Sequence, residues 1–428
     1  MSKLEVDKID PQSGTDLELG SSGDTITIPT GVTLDASNAT TTLPANVVTT
    51  DGTQTLTNKT IAAGSNTVTG LTNSNLSGSA AISNANLANS SITINDTAVS
   101  LGGSTSISTG GMYKNIIING DMSIAQRGTS VSGKVQGGYF TVDRFPFLTV
   151  TGSNAEFTLS QDTDAPTGQG FVKSHKVDCT TAHTVTGSNQ IAIRQFVEGQ
   201  NLQYLKKGTA NAESLTLSFW VKSNKTGTYI AELYDQDNSR QISKSYTIDS
   251  SNTWEKKTIT YAGDTTGAFD NDNGGSLMLS FWLAAGTDFS SGTLSTTWTT
   301  ATSADRAVGQ VNLADNTANN FWITGVQLEA GTTASDFEFL PVDVNEQRCL
   351  RYYHTHDATT AIYAPYTSND AYNVYWNEFP VPMRAAPTIT ETSSRGWTLT
   401  NKTRFNVVTY RDPGGNYMPP NYKAEAEL

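Results

Sequence analysis

The stretches LTLSFWVKS (residues 215–223) and LMLSFWLAA (residues 277–285) share the tetrapeptide LSFW, and they determine the fold that we predict. Side chains of a β-strand alternate between its two faces, so every second residue points the same way. One face of each stretch is purely apolar: Leu215, Leu217, Phe219 and Val221 in the first, and Leu277, Leu279, Phe281 and Leu283 in the second. These faces predict two strands that contribute to a hydrophobic core.

The opposite face of the two stretches carries Trp220 and Trp282, each with a serine two positions earlier. A flat indole with polar neighbours suits a sugar ring, because the indole offers an apolar surface and the neighbours offer hydrogen bonds. Trp322, in the stretch FWITG, is a third candidate of the same kind. The alternative is that a loop or a neighbouring subunit covers this face, and then the tryptophans are structural.

The composition favours an all-β fold. Hydrophobic residues make up 36% and charged residues 16% of the 428 residues, below the usual values of roughly 45–50% and about 25%. Thr, Ser, Asn and Gly fill the difference, and these residues favour turns and short strands over helix. The net charge of −13 and the lack of a basic run argue against binding to nucleic acid.

The two cysteines, Cys179 and Cys349, are too few for a disulfide framework and fit a reducing compartment. The start, MSKLEVDKID, has no apolar segment typical of a secretory signal. No stretch approaches the roughly 18 consecutive apolar residues of a membrane span. We expect a protein made in a cytoplasm, soluble and without membrane insertion.

The N-terminal part of the chain divides into two regions. In residues 1–34 the stretch DTITIPTGVTL predicts two short strands broken by Pro29 and Gly31, in a small attachment module. Residues 35–112 are of low complexity; in DGTQTLTNKTIAAGSNTVTG (residues 51–70), one apolar side chain occurs every five to seven residues. One copy of such a segment buries too little apolar surface to offset the entropy of ordering it. Several parallel copies could share one axis; the alternative is disorder.

The rest of the chain predicts two β-rich modules. Residues 113–341 contain alternating stretches separated by turn signals such as SNKTG and NDNGG, which is typical of a β-sandwich. Its predicted strands are KNIIING, LTLSFWVKS, YIAELYD, WEKKTITYAG, LMLSFWLAA and FWITGVQLEA. DVNEQRCLRYY is the best candidate for a short helix, and it opens a distal β-rich domain over residues 342–428.

Several stretches resemble, in order, those of trimeric tail fibres of tailed bacteriophages. DGTQTLTNKTI is similar to a motif of fibre shafts, and NSSITINDTAVSLGGSTSI to the segment that often ends a shaft. NIIINGDMSIAQRGTS followed by GGYFTVDRF resembles the opening of a carbohydrate-binding-like sandwich in that family. TWEKKTITYAGDTTGAFDNDNGG and NLADNTANNFWITGVQLEAGTTASDFEFLPVDVNEQRCLRYY resemble its close, while NEFPVPMRAAPTIT and AEAEL resemble the distal module.

The resemblance implies an elongated homotrimeric fibre with a short-strand intertwined shaft, a jelly-roll-like β-sandwich and a small tip domain. It further implies that the N-terminus attaches to a phage tail or adaptor protein of the virion. The C-terminal end would contact a host cell-surface receptor, which we expect to be a glycan. Two alternatives stay open: a purely architectural virion part, such as a head fibre or tail connector, and a polysaccharide depolymerase.

The distal domain supplies five further candidates for receptor contact. Aromatic side chains are enriched at recognition surfaces because they bury a large area at low entropic cost. The five aromatic residues fall within a short span: Tyr363, Tyr366, Tyr372, Tyr375 and Trp376. We interpret this group as the receptor-contacting tip.

Metal and catalytic signals are weaker. His354 and His356 lie two residues apart and share a face in an extended chain, so three copies could present six imidazoles to one ion at a trimer axis. The alternative is a surface pair of histidines.

The turns DNDNGG and YDQDNS invite a calcium interpretation, although Asp, Asn and Gly also form turns without an ion. No catalytic motif is present, so we expect neither an enzyme nor a cofactor.

Overall fold

The structure, a computed structural model, describes residues 22–25, 27–33, 69, 87–94, 97–104, 113–152, 154–356, 372–391, 397–399, 401–410 and 421–428. The chain divides into two compact units, Met1–Thr105 and Ser106–Leu428. The described residues are predominantly β, which confirms the predicted fold class. Within these ranges, no helix is both long enough and apolar enough to cross a membrane.

The first unit contains one described hairpin. Strands β1 (Ser91–Ile94) and β2 (Thr97–Ser100) pair antiparallel, with Ile92 opposite Val99. Near Pro29 the described residues form a turn closed by the Val32 amide, which donates to the Pro29 carbonyl at 3.1 Å. The two strands predicted there are not found in the described part of residues 24–34. Most of the predicted shaft lies outside the described residues.

The second unit begins with twelve strands and a one-turn helix. The strands are β3 (Ser130–Lys134), β4 (Phe147–Val150), β5 (Glu156–Asp162), β6 (Ser174–Thr181), β7 (Gln190–Glu198), β8 (Leu215–Ser223), β9 (Gly227–Asp235), β10 (Arg240–Ile248), β11 (Glu255–Tyr261), β12 (Gly275–Ala285), β13 (Thr299–Thr300) and β14 (Asn320–Ala330). Helix α1 (Thr287–Ser290) follows β12. Short 3-10 turns occur at Gly199–Asn201, Gln203–Leu205, Ser303–Asp305 and Leu313–Asp315.

These strands form a sandwich of two six-stranded sheets. One sheet has the order β13-β10-β9-β12-β7-β4 and the other the order β11-β8-β14-β6-β5-β3, with antiparallel neighbours throughout. The apolar faces of β8 and β12 meet between the sheets, where the rings of Phe219 and Phe281 lie 5.0 Å apart at 69°. Leu217 and Leu279 are fully buried beside them. The predicted β-sandwich and the inward face of both LSFW stretches are confirmed.

The segment NIIING is buried but is not the strand that its apolar run predicts. Ile116, Ile117 and Ile118 are all less than 10% exposed, so the segment has no solvent-facing side. The Ile116 amide donates to the Leu328 carbonyl of β14 at 2.9 Å, but side-chain amides satisfy much of the remaining backbone. The Ile118 amide donates to Oε1 of Gln195 at 2.7 Å, and the Ile117 amide donates to Oδ1 of Asn115 at 3.0 Å. The strand prediction is wrong here because these amides replace a strand ladder.

The C-terminal part starts with the predicted helix, α2 (Val342–Leu350). The strands that follow are β15 (Tyr353–His356), β16 (Tyr372–Glu378), β17 (Thr388–Glu391), β18 (Trp397–Leu399), β19 (Arg404–Tyr410) and β20 (Tyr422–Glu425). They form two three-stranded sheets, β15-β20-β17 and β16-β19-β18. Arg384 holds the residues after β20, because its Nε and Nη2 donate to the carbonyls of Ala426 at 2.8 Å and Glu427 at 2.9 Å.

Candidate functional site

The three tryptophans proposed from the sequence differ in exposure. Trp282 is fully buried, Trp322 is 8% exposed, and Trp220 is partly exposed. All three lie on the strand face that points away from the core between the sheets. The difference therefore comes from what covers each indole.

Trp282 is covered by helix α1 and the turn that follows it. Its ring lies 5.6 Å from the ring of Phe289, and its Nε1 donates to Oε2 of Glu232 at 3.0 Å. Glu232 is itself buried and accepts two hydrogen bonds from Arg306, at 2.6 and 3.0 Å. The indole of Trp282 is therefore covered by other parts of the same chain and is not exposed for stacking with a sugar.

Trp322 is enclosed by charged side chains. The Nζ atoms of Lys222 and Lys176 lie 4.4 and 4.9 Å from its ring centroid, within the range of cation–π contacts. Its Nε1 donates to Oδ2 of Asp162 at 3.1 Å. Trp254, which the sequence analysis did not single out, lies 5.4 Å from the same Lys222. The ring and the Nε1 of Trp322 are thus engaged within the protein, and little of its surface is exposed.

Trp220 lines a cavity of about 260 Å³, the Trp220 pocket, on the outer side of β8 and β14. This volume is close to the lower end of the ~300–1,000 Å³ that is typical of small-molecule sites. Aromatic and polar side chains share the lining. The lining residues are Gln169, Phe171, Ser218, Trp220, Lys256, Gly325, Asp336, Phe337 and Phe339.

Three phenylalanines form the aromatic wall opposite Trp220. Phe171 belongs to the loop between β5 and β6, whereas Phe337 and Phe339 follow β14. The ring centroid of Phe171 lies 5.0 Å from that of Phe337 and 5.0 Å from that of Phe339, and the last two are 4.8 Å apart. Phe339 is 50% exposed, so apolar surface remains open at the mouth of the pocket. No local sequence pattern joins these residues, and the sequence analysis missed them.

The polar side chains of the Trp220 pocket have no polar partner among the described residues. Within the described ranges, the side chains of Gln169, Ser218, Lys256 and Asp336 form neither a hydrogen bond nor an ion pair. Together they supply an amide, a hydroxyl, an ammonium and a carboxylate. A ligand with several hydroxyl groups would find both donors and acceptors here.

Gly325 makes room for this arrangement. It lies in a β-bulge, where the pairing of β14 with β8 shifts between Thr324 and Gln327, and its φ is +61°. Glycine adopts such a positive φ without the steric cost of a Cβ atom. Phe171 consequently packs against the bare backbone of β14, next to Trp220.

Only three of the five aromatic residues proposed in the distal domain lie among the described residues. Tyr363 and Tyr366 lie outside the described residues. Tyr372, Tyr375 and Trp376 lie in β16, which pairs with β19 so that Trp376 is opposite Asn406. Their side-chain surroundings lie outside the described part of the structure, so their receptor contact stays a prediction.

The histidine pair lies in an extended strand, the conformation in which residues two apart share a face. His354 and His356 belong to β15, and the ring of His354 lies 5.6 Å from that of Tyr422 and 6.3 Å from that of Phe379. The side chain of His356 is not among those described. Within the described residues no three His, Cys, Asp or Glu side chains are grouped closely enough to hold a metal ion.

The aspartates of the two polar turns mainly serve the turns themselves. Asp235 is buried, accepts the amides of Asp237 at 3.0 Å and Asn238 at 3.1 Å, and pairs with Lys207 at 2.5 Å. In the second turn, Oδ1 of Asp272 accepts the Gly274 amide at 2.7 Å. These contacts are those of Asp-stabilised turns, which need no ion.

Comparison with known proteins gives only distant structural matches. No family model and no curated protein matches the chain. Among solved structures, the enzymatically active domain of tailspike protein 4 from bacteriophage CBA120 is 14% identical, covers 51% of this chain and 22% of its own, and gives a TM-score of 0.27. A putative sugar binding protein from Bacteroides thetaiotaomicron is 12% identical, with coverages of 50% and 99% and a TM-score of 0.30.

A third match is the family 11 carbohydrate-binding module from Clostridium thermocellum in complex with a β-1,3-1,4-mixed-linked tetrasaccharide. It is 12% identical, covers 48% of this chain and 98% of its own, and gives a TM-score of 0.26. The chain spans less than a quarter of the tailspike domain's length. These identities and TM-scores support no assignment of function.

Proposed function

We propose that this chain is a glycan-binding adhesive protein whose Trp220 pocket holds a sugar ring. The observation that carries the proposal is the pairing of an indole and three phenylalanine rings with four polar side chains that form no hydrogen bond or ion pair in the described structure. A sugar presents an apolar face of C–H groups and a rim of hydroxyl groups, so it needs both kinds of partner. Stacking against the aromatic wall would orient the ring, and the polar groups would select its hydroxyls.

Binding without cleavage is part of the proposal. Glycosidases position two carboxyl groups about 5–9.5 Å apart on either side of the scissile bond. Asp336 is the single carboxylate among the residues that line the Trp220 pocket. A lone carboxylate can accept hydrogen bonds from sugar hydroxyls, which is a binding role.

The wider setting that we propose is the tail fibre of a bacteriophage virion. The support is the ordered resemblance of the shaft, sandwich and distal stretches to that family. In this proposal residues 1–34 attach to the tail or an adaptor protein, and three copies associate through residues 35–112. The sandwich and residues 342–428 then contact a glycan on the host cell. Three weak sites on one particle would act together, so avidity would exceed the affinity of a single pocket.

The test uses the full chain on an array of bacterial surface polysaccharides. We expect retention on at least one polysaccharide, loss of that retention in Trp220→Ala, and no release of reducing ends. Trp254→Ala is the matched control, because Trp254 is also a partly exposed tryptophan but lies outside the Trp220 pocket.

Two results would overturn parts of the proposal. Absence of saccharide binding, or binding that Trp220→Ala leaves intact, would refute the role of the Trp220 pocket and favour a purely architectural part. Sedimentation of the full chain as a monomer would refute the trimeric fibre.

A further inference from the structure

We infer that a second pocket of the unit Ser106–Leu428, the arginine pocket, binds the carboxylate of an acidic sugar residue through Arg348. This cavity of about 430 Å³ lies beside β7 and α2, and its lining includes Asn115, Phe196, Asn201, Tyr204, Arg348 and Arg351. The inference rests on the proposed function, because it takes the ligand to be a glycan. It adds a second site and a charge requirement.

Arg348 differs from most other described arginines of this unit in having no ion-paired carboxylate among the described residues. Five arginines pair with carboxylates: Arg127, Arg144, Arg240, Arg306 and Arg351. Arg348 forms no ion pair with any described residue, and its Nη2 donates only to the carbonyl of Asn115, at 3.3 Å. Burial lowers the pKa of its guanidinium and outweighs the weaker attraction of the Glu338 carboxylate, so the protein withdraws water from this charge without supplying an ion-pairing carboxylate among the described residues. A carboxylate entering the pocket would supply it.

The nearby carboxylates are already committed to other groups. Glu338 accepts the main-chain amides of Tyr113 at 2.6 Å and Asn115 at 2.9 Å, and it does not come within ion-pairing distance of Arg348. Glu198 accepts two hydrogen bonds from Arg351, at 2.8 and 2.7 Å, and one from the hydroxyl of Tyr352 at 2.5 Å. Arg351 therefore has an ion-pairing carboxylate, whereas Arg348 has none among the described residues.

The remaining lining suits a sugar ring better than a small inorganic anion. Tyr204 is 50% exposed, so its ring is open to stacking, and its hydroxyl forms no hydrogen bond within the described structure. The amide of Asn201 is exposed and also has no described partner. The volume falls within the ~300–1,000 Å³ typical of small-molecule sites. A uronate or sialate residue combines the carboxylate, the ring and the hydroxyls that these groups would recognise.

The experiment measures binding of glucuronate and N-acetylneuraminate to the full chain by saturation-transfer difference NMR. The methyl esters of both sugars serve as neutral probes of the same shape. We expect the acids to bind and the esters to bind at least tenfold more weakly. Arg348→Gln should weaken binding of the acids about tenfold to a hundredfold, because it removes a hydrogen-bonding charge. Arg348→Lys should keep part of the affinity, and thermal unfolding would show that both variants are folded.

The outcomes separate this inference from the proposed function. No binding of either acid, equal binding of acid and ester, or full binding by Arg348→Gln would overturn the inference. Trp254→Ala should leave the binding of the acids unchanged, because Trp254 lines neither the arginine pocket nor the Trp220 pocket. Polysaccharide binding that depends on Trp220 but not on Arg348 would therefore refute the arginine pocket alone.

Discussion

Gly325 faces Trp220 across the β8–β14 pair so closely that a Cβ atom on the glycine would lie 3.1 Å from Cδ1 of Trp220. The same atom would lie 2.6 Å from Cζ of Phe171, a distance that real Cβ contacts do not reach. The arrangement of Phe171 and Trp220 in the Trp220 pocket therefore requires a residue without a Cβ atom at this bulge. A single methyl group is sufficient to disturb it.

We expect Gly325→Ala to weaken saccharide binding by the full chain about tenfold or more, because Phe171 and Trp220 must move apart. Overpacking and the positive φ should also lower the free energy of unfolding by about 1–3 kcal/mol. Gly128→Ala is the control, since Gly128 has a φ of +115° but no atom within 4 Å of the added carbon. Binding curves and urea denaturation measure the two effects. Unchanged binding in Gly325→Ala would contradict the pocket geometry.

Substitution by alanine should affect mainly stability at Trp282 and mainly saccharide binding at Trp220. Trp282→Ala empties a fully buried site and removes the Nε1 donor to the buried Glu232, so we expect a loss of about 3–5 kcal/mol in the free energy of unfolding. Trp220→Ala should cost only about 1 kcal/mol, which is ordinary for a partly exposed position, while abolishing saccharide binding. Guanidinium denaturation measures the first quantity. Equal stability losses in the two variants would show that both indoles are structural.

The ion pair between Glu198 and Arg351 should stabilise the contact between β7 and the residues after α2. Glu198 is fully buried and Arg351 is 30% exposed, so Glu198→Gln leaves a partly solvated Arg351 without its counter-charge and should cost about 1–3 kcal/mol. The exposed pair Lys206–Glu213, with side chains 53% and 40% exposed, is the matched control. Glu213→Gln should cost no more than about 1 kcal/mol. Similar losses in both variants, measured by urea denaturation, would contradict this distinction.

His175 should make the fold sensitive to acid. It is 1% exposed, neither ring nitrogen has a hydrogen-bond partner in the described structure, and burial lowers its pKa to about 4. The unfolded chain, with a histidine pKa of about 6.5, then binds more protons between pH 6.5 and 4, so stability falls as the pH falls through that range. The loss attributable to His175 is at most about 3 kcal/mol.

His175→Leu should flatten this part of the stability profile. Burial raises the pKa of Asp143 to about 6, which gives an opposite slope below that pH, but this contribution is common to both proteins. The measurement is therefore the difference between the two profiles from urea denaturation at pH 7, 6, 5 and 4. Parallel profiles would show that His175 does not titrate as its burial requires.

Local patterns allowed much of the sandwich to be predicted. The alternation in β8 and β12 gave the correct inward face, because strand geometry fixes it once the strand exists. The helix α2 lies almost entirely within DVNEQRCLRYY, the stretch predicted as the best candidate for a short helix. NIIING was mistaken for a strand because an apolar run does not reveal that Asn115 and Gln195 will satisfy its backbone.

The site was predicted less completely. Trp220 and its neighbour Ser218 could be found from the strand period, and the structure places both in one pocket. The sequence does not reveal which of the tryptophans is covered, because α1 and Arg306 reach Trp282 only through tertiary folding. The same holds for Phe171 and the residues after β14, which come from loops far apart in the sequence.

The position of β14 within its sheet has a consequence for synthesis. This strand lies between β8 and β6, yet it is the last of the sandwich strands to leave the ribosome. Until residues 320–330 have emerged, β6 and β8 each keep one open edge, and such edges invite association with other chains. Polypeptides cut short before residue 320 should therefore aggregate, and complete folding should be slow, as is usual when strands distant in the chain must pair.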